Sequence, residues 1–248
     1  MLTICKNCNN HFEGNFCNNC GQAADTHKLT LHFIWHDLQH GLFHFDNGIF
    51  YTIKKLLIKP GHAIKEFIDG KRVRHFKPAT FVIVLATLYG LLYHYFIGSM
   101  YDVKPINTQE NVVSAYGKVT SWIIDHFAYS SLIIILNTTV ASYLVFKKQG
   151  YNFAEHLVLN IFYRGLVILI NLILLPVLYK YGRSERFINY IFITQIIDLV
   201  LMYWCYAQFF NKMPRLKSLC FTLFTYLIMS GINVGIGYLI GWIINSVS

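Results

Sequence analysis

The sequence predicts an all-α membrane protein of about five transmembrane helices, headed by a small N-terminal zinc ribbon and amphipathic juxtamembrane helices. Three observations carry this. Five apolar runs each approach the ~20 residues that cross a bilayer. The composition is 55% hydrophobic and only 13% charged, too apolar for an ordinary soluble domain. A C-x2-C-x8-C-x2-C pattern stands near the start. The formal charge is +9, and its Lys and Arg lie mostly outside the apolar runs. That distribution points to anionic lipid headgroups as partners before nucleic acid.

The first element, residues 1–24, reads as the ribbon. Cys5, Cys8, Cys17 and Cys20, in CKNCNNHFEGNFCNNCGQ, form two short loops that each present two thiolates. Four sulfur ligands close a tetrahedron around a structural Zn2+ and leave no open position for substrate. Gly21 suits the tight turn after the last ligand. Thiolates kept for a metal imply a reducing compartment. Lys6 is the only Lys or Arg of the ribbon, a poor electrostatic footprint for nucleic acid. Cys205 and Cys220 lie in or beside apolar runs and read as small hydrophobes.

Residues 25–77 read as a juxtamembrane region. In LTLHFIWHDLQHGLFHF, Leu31, Ile34, Trp35, Leu38, Leu42 and Phe45 recur at helical spacing as an apolar stripe. Such a helix either lies in the interface plane or docks on the bundle. His32, His36, His40 and His44 fall on its other side, offering either a metal pair or a pH-sensitive polar face. Their row drifts by about 40° per step, so four cannot meet at one ion. Asp46 or Asn47 suits the cap of a helix near 49–58, Pro60-Gly61 breaks it, and a short helix over 62–69 ends at Gly70. Lys71, Arg72, Arg74 and Lys77 then precede the first span. They read as a positive-inside anchor or as a lipid-headgroup site.

Residues 78–248 read as the bundle, with spans near 79–97, 122–146, 157–178, 187–210 and 219–243. The segment before the first span and the loops at 147–156 and 211–218 hold 15 Lys and Arg, whereas the loops at 98–121 and 179–186 hold 5. Positive-inside bias therefore expects a cytosolic N-terminus and an outside C-terminus in a bacterial cytoplasmic membrane.

The C-x2-C…FCNNCGQ head, FDNGIFYTIKKLLIKPG, EFIDGKRVRHFKPATF and YNFAEHLVLNIF together resemble a bacterial family of zinc-ribbon-headed, multi-pass membrane proteins catalogued only as a domain of unknown function. The resemblance covers about the first two thirds of the chain. It implies a membrane location and a zinc site on the four cysteines, and it imports no activity.

Within the spans, polar residues are costly and ask for a role. Asp198, near the middle of the fourth span, needs a partner or a proton. Arg164, about two turns into the third, is placed either to snorkel to the cytosolic headgroups or to reach Asp198. Asn137, Asn160, Asn171, Gln195 and Asn233 read as interhelical glue or a polar pathway. Glu155 and His156 read as a cap with headgroup contact, or as an interfacial acid–base pair. Gly231, Gly235, Gly237 and Gly241 form two small-xxx-small pairs, for packing within the bundle or for a homo-oligomer. No catalytic set is evident, which weighs against an enzyme. The expected function is an adaptor or scaffold that presents the ribbon to a protein partner. The alternatives are a small-solute, ion or lipid transporter on Asp198 and Arg164, and a lipid-modifying enzyme on Glu155 and His156.

Overall fold

The computed structural model describes residues 2–26, 28–35, 48–97, 126–181 and 187–247. Two short strands, β1 (Thr3–Ile4) and β2 (His11–Phe12), pair antiparallel, Thr3 opposite Phe12 and Ile4 opposite His11. Helices follow: α1 (Gly48–Ile58), α2 (Pro60–Ile68), α3 (Pro78–Ile97), α4 (Phe127–Phe146), α5 (Phe153–Tyr181), α6 (Phe187–Phe209) and α7 (Arg215–Val247). Five of them, α3 to α7, are long and apolar enough to cross a membrane. The expected all-α bundle of five spans is therefore present, with a cysteine cluster at its head.

α5 is the central helix and packs against α2, α3, α4 and α6. It begins at Phe153, four residues before the expected span. The early start has a local cause: Asn152 and Glu155 form a capping box. Asn152 Oδ1 accepts from the Glu155 backbone N–H, and Glu155 Oε2 accepts from that of Asn152, both at 2.8 Å. Two otherwise unpaired N–H groups are thereby satisfied. At 29 residues, about 43 Å at 1.5 Å per residue, α5 outreaches a ~30 Å hydrocarbon core.

α4 meets α5 through small and hydroxyl-bearing residues. Thr138, Thr139 and Ser142 donate to carbonyls of their own helix, of Ile134, Ile135 and Thr139. Back-bonding of this kind satisfies a hydroxyl where no water reaches it. α3 crosses α5 where Gly165 lies under the Phe81 ring; a Cβ there would come 2.5 Å from Phe81 Cε1.

α2 is not a free surface helix. Its Pro60, Gly61, Ala63, Ile64, Phe67 and Ile68 are buried against α5 and the end of α6, and Phe67 meets Phe162 edge to face at 5.4 Å. It ends as the sequence predicts, in a Schellman turn with Gly70 at φ +106°. Lys71 N–H donates to Glu66 O and Gly70 N–H to Phe67 O. α1 is tied to the following loop by the Phe76 N–H, which donates to Thr52 Oγ1 at 2.7 Å. It turns Phe50, Leu57 and Ile58 outward.

Of the amphipathic stripe, only residues up to 35 are described. Leu29 is buried and Phe33 and Ile34 pack on the core, while Leu31 and Trp35 are exposed. This piece docks through Leu29, Phe33 and Ile34 rather than through the whole predicted stripe. His32 is exposed. His36, His40, His44, Leu38, Leu42, Phe45, Asp46 and Asn47 lie outside the described residues.

Candidate metal centre and its platform

Each pair of cysteines sits in a knuckle of the same build. Cys5 N–H donates to Asn10 O and Asn9 N–H to Cys5 O; Cys17 N–H donates to Gln22 O and Gly21 N–H to Cys17 O. The turn after each second cysteine needs a left-handed residue, Asn9 at φ +59° and Gly21 at φ +74°, which Asn and Gly adopt at least cost. The knuckles face each other, with Cys5 Sγ 3.5 Å from Cys20 Sγ and Cys8 Sγ 3.6 Å from Cys17 Sγ. All four sulfurs lie within 4.8 Å of one another, and none is in a disulfide.

These spacings fit a tetrahedral thiolate site. A metal–sulfur bond of about 2.3 Å sets the tetrahedron's edge at about 3.8 Å. The donor chemistry fits as well. Burial works against a Cys17 thiolate, yet the backbone N–H groups of Asn19 and Cys20 and the neighbouring thiols outweigh it and bring the pKa down to about 6. The Asn7 side chain likewise lowers Cys20. Burial holds Cys5 up, at about 11, so the Cys5 thiolate waits on the ion itself.

The ribbon is clamped to a platform made by the end of α2 and the loop to α3. Gln22, buried at 4% exposure, accepts through Oε1 from the backbone N–H groups of Arg72 and Val73 at 3.1 and 3.3 Å. Lys6 Nζ donates to Thr26 O at 2.7 Å, and its Cδ stands 2.8 Å from where a Gly70 Cβ would be. Residue 29 is fixed in turn, Asn152 Nδ2 donating to its carbonyl at 3.0 Å.

Residues 46–90 match the model of a family described as "Protein of unknown function (DUF3667)". The matched segment runs through α1, α2, the basic loop and the first part of α3, and so contains the platform. Neither a curated protein nor a solved structure matches the chain.

The basic loop divides. Arg72 is a joint, its Nε donating to Phe67 O at 3.2 Å and its guanidinium standing 4.7 Å from the Phe33 ring centroid. Lys71 and Arg74 are exposed, and Lys77 is half-buried.

Inside the bundle, several of the other predicted polar residues fall into one cluster. Asp198 and Arg164 line a cavity of about 110 Å3 with Thr138, Asn160, Tyr163 and Asn233. They do not form an ion pair. Asp198 Oδ1 accepts instead from Tyr163 Oη at 2.6 Å. Arg164 reaches Ser131 Oγ at 3.4 Å and stands 5.7 Å from the Phe127 ring centroid, with Nε buried and unpartnered. Those contacts turn Arg164 toward the start of α4, away from the ribbon. The aromatic face and hydroxyl that can receive it are at the other end.

Toward the ribbon the cluster continues through Asn160. Its Nδ2 donates to Ser142 Oγ at 2.9 Å, and its Oδ1 accepts from Tyr206 Oη at 2.5 Å. Ser142 also meets His156 Nδ1 at 3.1 Å. Asn137 donates to Asn233 at 2.8 Å, joining α4 to α7, while Asn171 is half-buried and Gln195 exposed.

Glu155 and His156 do not form a pair among the described residues. Glu155 caps α5, and His156, fully buried, turns to Ser142 with Nε2 unpartnered. Sequence reasoning missed Tyr163, Tyr206 and Ser142, which look like ordinary core in apolar runs. The one available signal was Ser131, Thr138 and Ser142 at i, i+7 and i+11, a single face of α4. A Cβ at Gly231, Gly235 or Gly237 would meet nothing within 4 Å. Those glycines therefore do not serve close packing within the bundle. Cys205 is buried and Cys220 exposed, each on a helix apolar enough to cross a membrane.

Proposed function

We propose that this protein is a non-enzymatic adaptor of a bacterial cytoplasmic membrane, with a structural Zn2+ on Cys5, Cys8, Cys17 and Cys20, that presents its ribbon to a protein partner. The observation that carries the reading is the fixed ribbon with an apolar outer side. Leu2, just before β1, and Ile4 on it are 66% and 59% exposed, and Phe16 is 66% exposed. A closed tetrathiolate site gives shape rather than reactivity. A cytosolic ribbon is favoured because the ribbon, the platform, the Lys147–Gln149 turn and the Lys212–Lys217 segment gather at one end of the bundle. Lys65 Nζ donates to Asn211 there at 2.9 Å, next to the anionic leaflet that this basic end suits.

Photocrosslinkers at Ile4 and Phe16, in the intact chain in its native membrane, are expected to trap one recurring protein. Ile4→Glu with Phe16→Glu should abolish that product while zinc content stays the same. Crosslinks only to scattered lipid and abundant proteins would overturn the adaptor reading.

The cavity that Asp198 and Arg164 line favours a second reading, transport of a small ion or solute past these two residues. In reconstituted vesicles Asp198→Asn should then abolish flux. No flux in the unaltered protein, or flux unchanged by the substitution, would end it.

A further inference from the structure

Between the ribbon and the platform lies a cleft of about 330 Å3. Cys8 and Cys20 wall it on the ribbon side; Glu66, Lys71, Arg74 and His75 wall it on the other. Lys71 and Arg74 are exposed, and neither side chain has an ion-pair or hydrogen-bond partner among the described residues. Two unneutralised cations at a cleft ask for an anion. A phosphate group from a lipid or from solution is one candidate, and the ribbon's own metal centre is the other.

Charge decides between them. A divalent ion with four thiolates carries a net charge of −2. Glu66 already has a cation of its own, Lys55 Nζ at 3.7 Å, and the neutral His75 ring faces that same carboxylate, also at 3.7 Å. Lys71 and Arg74 therefore stand as two positive charges opposite a dianion. A phosphate in the cleft would bring a further anion beside that dianion with no cation left to meet it.

We infer that Lys71 and Arg74 are the outer-sphere counter-cations of the metal centre, and that the charge of the loaded centre holds the ribbon on its platform. The inference rests on the zinc site of the proposed function. It makes docking depend on the metal: with the ion removed the four sulfurs no longer form one fixed dianion opposite Lys71 and Arg74, and the ribbon is left to its other contacts, those of Gln22 and Lys6 among them. It also assigns these two residues to the ribbon rather than to lipid.

The Arg72 and Val73 amides, which donate to Gln22, report docking directly, so hydrogen exchange at these two positions is the first readout. Zinc affinity, by competition with a colorimetric chelator, is the second. In the intact chain in lipid nanodiscs, K71Q/R74Q is expected to bind zinc about 10–100-fold more weakly, and to exchange these amides about tenfold faster with zinc bound. K71R/R74K should restore both, and K54Q, a charge change on the exposed side of α1, should alter neither. Should the double variant fail to fold, K71Q and R74Q singly are expected to shift both readouts the same way by less.

Wild-type affinity and protection in K71Q/R74Q, or in both single variants, would overturn the inference alone. So would inorganic phosphate that raises protection of the zinc-loaded wild type and loses that effect in K71Q/R74Q. If the cobalt-substituted wild type lacks thiolate charge-transfer bands, the metal reading falls, and this inference with it.

Discussion

Gly61→Ala tests whether α2 is a structural wedge. An added Cβ would stand 2.2 Å from Cys205 O, 2.5 Å from Gln208 Cβ and 2.5 Å from Phe209 N. Two of those three atoms are backbone, so no side-chain rotation relieves the clash. A carbon–oxygen contact needs about 3.3 Å, so α2 must move off α6 by about 1 Å. A gap of that size forfeits a quarter to a half of the dispersion well. Ile64, Phe67 and Ile68 are buried on this helix, and burial of each is worth about 1.5–3 kcal/mol. The loss then comes to about 1–4 kcal/mol. Better helix propensity returns at most about 1 kcal/mol. The net cost is about 2 kcal/mol, a fall in Tm of about 4–8 °C for a chain of this size. The assay is thermal unfolding of the purified protein in one detergent, beside Gly90→Ala. At Gly90 an added Cβ meets nothing within 4 Å, so that variant should be neutral or slightly stabilised. Equal melting of the two variants would refute the wedge.

Asn152→Ala should cost about 1 kcal/mol through the lost α5 cap, seen as faster hydrogen exchange at residues 152–156; unchanged exchange would show that the capping box contributes nothing. Tyr163→Phe removes the donor to Asp198 and should destabilise by about 1–3 kcal/mol. In a double-mutant cycle with Asp198→Asn the two changes should couple by at least about 0.5 kcal/mol, and additivity would deny that the bond matters. Burial holds the His75 imidazole below its ordinary 6.5, against the pull of Glu66. The unfolded chain then takes up the proton more readily, so His75's contribution is full above pH 6.5 and is lost as pH falls through that value toward the depressed one. His75→Gln should flatten that part of the stability–pH curve, and an unaltered slope would remove His75 as its source.

How much of this was legible depended on whether the physics was local. The four cysteines and the turn at Gly70 are each set by a few consecutive residues, and the five apolar helices by runs of about twenty, so all three kinds of element were readable. The capping box at Asn152 and Glu155 was equally local, in YNFAEH, but an apolar-run criterion starts a span only where hydrophobicity begins and so overlooks the polar turn before it. The platform was not legible. Gln22 meets the backbone of residues 72 and 73 across fifty residues of sequence, and no periodicity announces a contact of that range. Arg164 and Asp198 were singled out for good reason, since both cost free energy in hydrocarbon. Their relation was not readable, because it depends on a tyrosine one residue before the arginine that looks like any other buried ring.

The two polar centres differ in what they permit. A carrier needs two packings of similar free energy, so that its site can face either side. Around the cysteine end the chain is over-determined: four sulfurs within 4.8 Å of one another, a buried Gln22 that bonds two successive amides, an α2 wedge without room for a methyl group, and an aromatic contact from Phe67 to Phe162. Such a joint resists a second arrangement, which suits a platform that must present one surface. The intramembrane cavity is looser, since Arg164 holds a 3.4 Å hydrogen bond and an unpartnered Nε beside open volume. Among the described residues, the contact of α4 with α5 around Arg164 is the looser of these two centres. Rigidity at the ribbon and slack at Arg164 favour a scaffold at one end without requiring the bundle beneath it to be inert.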